Sequence, residues 1–316
     1  MTESLAVATP AQALALLSLP QEELFARATA LREAAFGRNI VLCAIINAKS
    51  GNCSMDCRFC SQSRHNHTPI EVFSLLPDEE LRERILQLAA LPVARIGVVT
   101  SGSALNGSEL QRLCKVIAAL PDDVRPRVCA SLGKLAARDF ADLSQSGLTR
   151  FHHNLETARD YYASVCTTQT WDQRRETVLR ACDSGMSVCS GGLFGLGESW
   201  EDRVDFAFNL KELGVGHVPM NFLHPHPETP LAGQQPLSAN DALTLIAIFR
   251  HVLPTATLRI CGGRPLVLGD RQGEIFAAGA NALMTGDYLT THGQNIAHDL
   301  EMIAALGLEV RCDASC

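Results

Sequence analysis

Three cysteines form the group with the clearest chemical potential. Cys53, Cys57 and Cys60 stand in a C-x3-C-x2-C run, with Phe59 directly before the last one. Thiolates are soft ligands that select iron–sulfur clusters, zinc or copper(I). Zinc prefers paired C-x2-C or Cys/His sets that complete a tetrahedron, and no second pair follows here. Three thiolates leave one iron of a four-iron cubane open, so the spacing favours a [4Fe–4S] cluster over zinc and over a purely structural cysteine group.

The elements that must position these cysteines alternate along the chain. Residues 1–38 predict a helical extension with helices at Ala11–Leu17 and Gln21–Ala35. Eight strands are predicted after it: Ile40–Asn47, Arg95–Thr100, Pro126–Ser131, Leu148–Asn154, Ser187–Gly192, His217–Asn221, Thr257–Cys261 and Ala282–Thr285. The predicted helices that follow them are Pro77–Ala90, Glu109–Ala119, Lys134–Ser144, Trp171–Ser184, Trp200–Leu213, Ala239–Val252, Gln272–Ala278 and Asp299–Leu306. This alternation predicts an α/β fold, a (β/α)8 TIM-type barrel over 39–310 with a tail at 311–316; an open doubly wound sheet is the competing architecture.

Polar and glycine-rich segments follow the predicted strands at their carboxyl ends, where barrels carry their functional residues. The cysteine run follows the first strand, and a Gly191–Glu198 segment follows the fifth. Asn154 and Asn221 close the fourth and sixth strands. Each segment alone is weak, since Gly and Asn are ordinary turn residues. Their shared position at one rim indicates a single functional site.

Composition limits the class of protein. The 316 residues are 47% hydrophobic and fit one large domain, although length alone would also allow two. The net charge of −7 and the lack of a basic run argue against nucleic-acid or anionic-membrane partners. The apolar stretch Ala13–Leu19 is too short for a secretion signal or a membrane span. Twelve cysteines in such a chain predict a reducing, cytoplasmic location with thiols rather than disulfides.

Several motifs together resemble the biotin synthase family of radical S-adenosylmethionine (SAM) enzymes. The cysteine run resembles the SAM-cluster motif, and the further matching segments are Asn47–Gly51, Ser61–Ser63, His153–Thr157, Val188–Gly192, Val218–Asn221 and Leu289–Thr291. They occur in the order of the family and cover nearly the whole chain. The resemblance implies that SAM is cleaved to a 5′-deoxyadenosyl radical and that sulfur is inserted into dethiobiotin. It implies that an auxiliary iron–sulfur cluster, [2Fe–2S] in the family, is the source of that sulfur.

The resemblance also implies roles for individual residues. Cys53, Cys57 and Cys60 would hold the [4Fe–4S] cluster that binds SAM, and Glu156 would accept hydrogen bonds from the SAM ribose. Arg174 would pair with the methionine carboxylate, with a turn or cap role as the alternative. Phe59 and the segment with Gly192 and Gly195 would lie near the adenine. The substrate would contact Asn154, Asn221, His152 and Thr291, whereas Thr290 is expected to be a turn or cap residue. Because alternate residues of a strand face opposite ways, His152 and Asn154 should face the barrel interior and His153 should face outward.

The auxiliary cluster is where this sequence departs from the family pattern. Cys129, Cys189 and Arg259 match three of its four usual ligands, but the fourth position, on the second strand, is occupied by Gly97. Cys43, within the first strand, stands where relatives have a serine. Because residues of alternate strands fill one layer of a barrel interior, Cys43 would share a layer with the three matching residues.

We therefore hypothesise that Cys43 replaces the missing ligand and gives a cluster of altered shape, with four irons as one alternative. The competing interpretation is that Cys43 is a small buried core residue. Cys261 lies two residues beyond Arg259 and should face the same way, so it is a second candidate ligand. Cys114 and Cys182 are expected to be packing residues on helices. Cys312 and Cys316 could bind metal or lie in a disordered tail, and Cys166 has no evident role.

Three functions remain to be compared. Sulfur insertion into dethiobiotin is favoured, with a flavodoxin or ferredoxin as reductant and a homodimer as the family's assembly. Another reaction on the same scaffold, such as methylornithine synthesis or hydrogenase maturation, would not need Cys129, Cys189 and Arg259. A non-catalytic iron–sulfur or zinc protein that binds partners would leave Glu156 and the rim asparagines without a role.

Overall fold

The chain folds into strands and helices that alternate as predicted, and a computed structural model describes residues 5–312. The strands are β1 (Asn39–Lys49), β2 (Arg95–Thr100), β3 (Val128–Ser131), β4 (Arg150–His152), β5 (Ser187–Cys189), β6 (Gly192–Phe194), β7 (His217–Phe222), β8 (Thr257–Ile260), β9 (Ala282–Met284) and β10 (Glu309–Arg311). The helices are α1 (Pro10–Ala15), α2 (Gln21–Phe36), α3 (Asp78–Ala89), α4 (Gly107–Ala118), α5 (Ala137–Gln145), α6 (Trp171–Asp183), α7 (Trp200–Glu212), α8 (Ala239–Val252), α9 (Arg264–Leu268), α10 (Glu274–Ala277) and α11 (Ile296–Ala305). Residues 313–316, and with them Cys316, lie outside the described residues, whereas Cys312 is exposed.

The strands close into a barrel. They pair in parallel in the order β1-β2-β3-β4-β5-β7-β8-β9, and β1 pairs with β9 as well as with β2. β6 continues the path of β5 by pairing with β7, and β10 adds to β1 outside the barrel circuit. The closure by β1 and β9 confirms the (β/α)8 barrel and excludes the open doubly wound sheet.

Local sequence explains where the helices begin. Asn106 caps α4, with its side-chain oxygen 2.9 Å from the backbone N of Glu109, and Thr170 and Ser199 cap α6 and α7 in the same way. Each cap satisfies a backbone N–H that has no partner within the helix. Each of these helices therefore starts at a defined residue soon after the loop at a strand's carboxyl end.

Four details differ from the sequence prediction. The fifth predicted strand is interrupted between β5 and β6, because a Cβ on Gly191 would lie 1.9 Å from Pro219 O and the backbone there can approach β7 closely. The predicted helix Gln272–Ala278 is shortened to α10, and α9 and a 3₁₀ turn, which were not predicted, precede it. The strand β10 was not predicted, and Arg311, which was assigned to the tail, is its last residue.

The N-terminal helices pack on the outer helical layer. α2 packs against α8, whose residues Ala242–Val252 are nearly all buried, and α1 packs against α7. Over residues 5–312, none of the helices is both long and apolar enough to cross a bilayer. The helical extension at 1–38 as a separate unit stays a prediction.

Candidate functional site

The loop after β1 holds the three cysteines of the C-x3-C-x2-C run in a compact turn. The backbone N of Cys53 donates to Gln62 O at 3.0 Å, and that of Cys60 donates to Cys57 O at 3.0 Å. The buried side-chain amide of Asn66 donates to the carbonyl oxygens of Cys57 and Cys60, at 3.1 and 2.9 Å. These bonds involve only the backbone groups of the cysteines.

The environment of Cys57 and Cys60 opposes the ionisation of their thiols unless a cation is bound. Burial raises the pKa of Cys60 to about 11, and the neighbouring Cys53 and Glu156 act in the same direction. A hydrogen bond with Cys166, and burial, raise the pKa of Cys57. The thiolate is the metal-binding form. Within residues 5–312 no three His, Cys, Asp or Glu side chains converge as around one metal ion.

Glu156 lies beside the cysteine loop in a strained backbone conformation. Its φ of 73° is in the left-handed region, which is uncommon for a residue with a side chain and is often found at functional sites. Its carboxylate accepts from Asn154 Nδ2 at 3.4 Å and lies 3.4 Å from Arg174 Nη1. Arg174 also donates to Asn154 O at 2.8 Å and to the Tyr162 hydroxyl at 2.8 Å. The structure thus pairs Arg174 with Glu156, a residue predicted to act in the same site.

The glycine-rich segment after β5 runs directly against Glu156. A Cβ on Gly192 would lie 2.1 Å from Glu156 O, so only glycine allows this approach. Gly195 has a φ of 89°, and its backbone N donates to Glu198 Oε1 at 2.9 Å. Glu198 is almost fully buried and pairs with Arg203 at 2.8 Å. This ion pair fixes the segment in place.

Phe59 packs against an apolar cluster beside this segment. The cluster contains Leu196 and Leu223, and Leu193 also packs against it. The aromatic ring before Cys60 and the glycine-rich segment are therefore neighbours, as the sequence predicted for an adenine pocket. Apolar side chains of this kind suit a flat heteroaromatic ring.

An interior cavity of about 260 Å³ lies inside the barrel. Its lining includes Cys43 of β1, Cys129 of β3, Cys189 of β5 and Arg259 of β8, which we name the auxiliary ring. Arg259 Nη1 donates to Cys189 Sγ at 3.3 Å. The four residues that were predicted to share a layer do surround one cavity.

The thiols of the auxiliary ring differ in acidity. Burial raises the pKa of Cys129 to about 12 and also raises that of Cys43. Burial acts on Cys189 in the same direction, but the charge of Arg259 and a hydrogen bond from His152 outweigh it and lower its pKa to about 6. Cys189 is thus ready to bind a metal as a thiolate at neutral pH.

Gly97 and Cys261 also line the interior cavity. A Cβ on Gly97 would lie 3.7 Å from Cys129 Sγ, so the usual ligand position does face the ring. Cys261 is fully buried, with Sγ 3.5 Å from Arg259 O, and it remains a second candidate for the missing ligand.

The predicted substrate residues line the same cavity. His152, Asn154, Asn221 and Thr291 all contribute to its wall, whereas His153 faces away and stacks on Phe151. Asn221 donates to Gly192 O at 3.1 Å and accepts from Gly262 N at 3.1 Å. Backbone contacts therefore fix the orientation of this amide before any substrate binds.

The segment after β9 closes one side of the cavity. Thr290, expected to be only a turn residue, lines the cavity, and its hydroxyl lies 2.8 Å from the hydroxyl of Ser61 in the cysteine loop. Asn47 Nδ2 donates to Leu289 O at 2.9 Å. The segment therefore joins the cysteine loop to the cavity wall.

Sequence reasoning missed several residues of the site. Arg150 and Tyr288 line the interior cavity. The alternation that placed His152 and Asn154 on one face also places Arg150 there, and this signal could have identified it. Asp56, beside Cys57, accepts a hydrogen bond from Cys166 Sγ at 3.1 Å, a contact that needs the tertiary structure.

Comparison with known proteins identifies related families. Residues 48–210 match the Radical SAM superfamily, and residues 219–309 match the Biotin and Thiamin Synthesis associated domain. The chain is 70% identical to the biotin synthase of Desulfovibrio desulfuricans over 316 residues, which is 100% of both chains. It is 44% identical over 312 residues to the biotin synthase of Nitratidesulfovibrio vulgaris, covering 95% of this chain and 86% of that one.

Solved structures share the fold at lower identity. A methylornithine synthase superposes with a TM-score of 0.81 at 19% identity, covering 96% of this chain and 94% of that one. A maturase of the [FeFe]-hydrogenase gives a TM-score of 0.83 at 19% identity, covering 100% of this chain and 75% of that one. At this identity the likeness shows a common barrel and nothing about the reaction.

Proposed function

The chain belongs to the biotin synthase family of radical SAM enzymes, and we propose that its residues bind two iron–sulfur clusters on either side of the substrate. Family membership gives the reaction, which is SAM-dependent insertion of sulfur into dethiobiotin with a [4Fe–4S] cluster. The observation that carries the assignment of residues is the interior cavity. Its lining includes both the predicted substrate residues and the auxiliary ring.

Cys53, Cys57 and Cys60 hold the [4Fe–4S] cluster in this proposal. That cluster supplies the electron that cleaves SAM, which is how the hydrogen-abstracting radical arises. The support from this chain is a compact loop held by hydrogen bonds to the backbone groups of the cysteines rather than to their thiols. Phe59 and the segment with Gly192 and Gly195 border the adenine.

Glu156 accepts the hydrogen bonds of the SAM ribose, and Arg174 holds Glu156 in place and binds the methionine carboxylate. The strained backbone of Glu156 and its contact with Gly192 fix the carboxylate close to the cysteine loop. Arg174, which is largely buried, keeps its charge next to Glu156. A carboxylate and a guanidinium so arranged match the two polar ends of SAM.

The auxiliary ring holds the second cluster. Two donors of Arg259, Nε and Nη2, are buried without a hydrogen-bond partner among the described residues. A buried guanidinium without partners is costly, and an anionic sulfide or thiolate cluster would satisfy it. The family's cluster is [2Fe–2S]; four thiols near the cavity, including Cys43 and Cys261, are equally compatible with a four-iron cluster.

Dethiobiotin lies between the two clusters. Asn154 and Asn221 each offer a donor and an acceptor to its ureido ring. His152 borders the sulfur source through its bond to Cys189, and Thr291 meets the carboxylate end of the substrate. Holding the two carbons of dethiobiotin that receive the sulfur in an interior cavity supplies the positioning that a radical reaction needs.

The partners and location extend this proposal. A flavodoxin or ferredoxin supplies the electron, and the enzyme acts as a cytoplasmic homodimer. Every cysteine in the described part of the chain is a free thiol, which suits a reducing compartment.

One experiment tests the reaction and the cluster count together. The protein is reconstituted anaerobically with iron and sulfide, then incubated with SAM, dithionite and dethiobiotin. Biotin and 5′-deoxyadenosine among the products support the proposal. SAM cleavage without biotin, or an iron content of only the SAM cluster, would contradict the role of the auxiliary ring.

A further inference from the structure

Arg150 is a buried cation that the family pattern does not account for. The residue is 4% exposed and lines the interior cavity. Its Nε donates to Ser187 Oγ at 2.9 Å, which anchors the guanidinium to β5. Its Nη1 is buried and has no hydrogen-bond partner among residues 5–312.

The register of the barrel puts Arg150 beside the auxiliary ring. Arg150 is aligned with Cys129 on β3, and His152, two residues further along β4, is aligned with Cys189 on β5. Its charge is close enough to lower the pKa of Cys43, Cys129 and Cys189, although burial opposes this effect at each thiol. Arg150 therefore faces the same space as the three candidate ligands.

Two guanidiniums at the cavity have donors without partners. Arg150 and Arg259 both line it, and each has a buried guanidinium nitrogen without a hydrogen-bond partner among residues 5–312. Burial and the charges of Arg95 and Arg259 lower the pKa of Arg150 to about 10, so it stays charged at neutral pH. A buried cationic donor without a partner is unfavourable. The cavity therefore suits a negatively charged occupant.

We propose that Arg150 is a second cationic partner of the auxiliary cluster and that its free Nη1 donates a hydrogen bond to a sulfide of that cluster. The inference rests on the proposed function, since it needs a cluster at the auxiliary ring. Arg259 and Arg150 then contact the cluster from β8 and β4, which are separated in the barrel order by β5 and β7. Arg150 is a positioning residue that favours the more negative, reduced state of the cluster.

The test isolates the auxiliary cluster. A protein with Cys53, Cys57 and Cys60 all changed to Ala cannot hold the SAM cluster, so its iron, sulfide and absorption report on the auxiliary ring. In this background we compare Arg150 with Arg150→Met, Arg150→Gln and Arg150→Lys. Iron and sulfide content and the midpoint potential are measured after anaerobic reconstitution.

We expect Arg150→Gln to shift the midpoint potential to more negative values, or to lose a large part of the auxiliary iron and sulfide. Arg150→Lys should keep a midpoint potential close to that of the parent, because it keeps the charge. Arg127→Gln is the matched control: Arg127 also has a buried Nε without a partner in the described chain, but it donates to Ala89 and Val93 carbonyls and does not line the cavity. It should leave the cluster unchanged.

Thermal unfolding of the iron-free proteins separates this role from simple packing. Without a cluster, Arg150 is a buried charge with an unsatisfied donor, so Arg150→Met should unfold at the same or a higher temperature than the parent. A large fall in its unfolding temperature would mean that Arg150 is a structural residue, and would overturn the inference. So would an Arg150→Gln protein with unchanged iron, sulfide and potential.

The two levels of failure can be told apart. If the triple-alanine parent takes up no iron, the auxiliary cluster itself is refuted, and the inference falls with it. If the parent binds a cluster whose iron, sulfide and midpoint potential do not change when Arg150 is replaced, only the inference is refuted.

Discussion

Arg259 and Cys189 meet across the barrel interior, with Nη1 of the arginine 3.3 Å from Sγ of the cysteine. They belong to β8 and β5, which are separated in the sheet by β7. The contact therefore runs through the space of the cavity and not along neighbouring strands. It holds a cation against the most acidic thiol of the auxiliary ring.

Cys43→Ala should lower the auxiliary iron and sulfide content, because it removes the thiol that we propose as the replacement ligand. The measurement is metal analysis and the absorption spectrum of the reconstituted triple-alanine protein. Cys114→Ala, a half-buried thiol on α4, is the matched control and should change neither. A Cys43→Ala protein with full auxiliary iron would refute Cys43 as a ligand and leave Cys261 as the candidate.

Gly192→Ala should weaken SAM binding by roughly tenfold or more, which corresponds to about 1.4 kcal/mol. The added Cβ would lie 2.1 Å from Glu156 O, so the strained backbone that carries the carboxylate must move. Equilibrium binding of SAM to the reconstituted protein measures the effect. Gly216→Ala is the control, since a Cβ there meets nothing within 4 Å; equal losses in both variants would contradict the role of Gly192.

Asp56→Asn should speed the loss of iron from the SAM cluster. Asp56 accepts from the backbone N of Thr167 and Thr168, at 2.9 and 3.1 Å, and from Thr168 Oγ1 at 2.8 Å, which ties the cysteine loop to the segment before α6. An amide replaces one of these acceptors with a donor, at a cost of about 1 kcal/mol for this partly exposed group. The rate at which a chelator removes iron is the measurement.

The control for that experiment is Asp172→Asn, an exposed carboxylate that pairs with Arg159 away from the cysteine loop. It should leave the rate of iron loss unchanged. If Asp56→Asn also retains its iron like the parent, the loop does not depend on this anchor.

His251→Gln should make the iron-free protein less sensitive to acid. His251 is fully buried on α8, and burial lowers its pKa although a bond to Ala247 O opposes this. Well above pH ~6.5 the residue is neutral in both the folded and the unfolded state, so it adds no pH dependence to the free energy of unfolding. As the pH falls below that value, the unfolded state gains a proton that the folded state does not, so the free energy of unfolding decreases.

The free energy of unfolding should therefore fall less on acidification in the variant than in the parent. The free energy of unfolding by denaturant is measured for the parent and the variant at pH 7.5 and pH 5.5. These values lie on either side of the reference histidine pKa of ~6.5. The difference at pH 7.5 alone gives the cost of lost contacts and serves as the internal control. Parallel pH profiles would show that His251 takes no part in acid sensitivity.

The sequence by itself determined the architecture and one face of each strand. Alternating strand and helix patterns gave the barrel, and α8 was predicted with the bounds that the structure has. The period of two along a strand correctly put His152 and Asn154 inside and His153 outside. The cysteine spacing and the motifs at the carboxyl ends of the strands indicated the family, because each motif is a short continuous stretch of sequence.

The tertiary structure decided which of these residues meet. The periodicity of a strand fixes the direction of a side chain, but only barrel closure fixes its height relative to residues of other strands. Closure by β1 and β9 brings Cys43, Cys129, Cys189 and Arg259 around one cavity. It also places Arg150 at that cavity, although no sequence motif pointed to this residue. The break between β5 and β6 and the contact of Asp56 with the segment before α6 arise in the same way, from close approaches between segments distant in sequence.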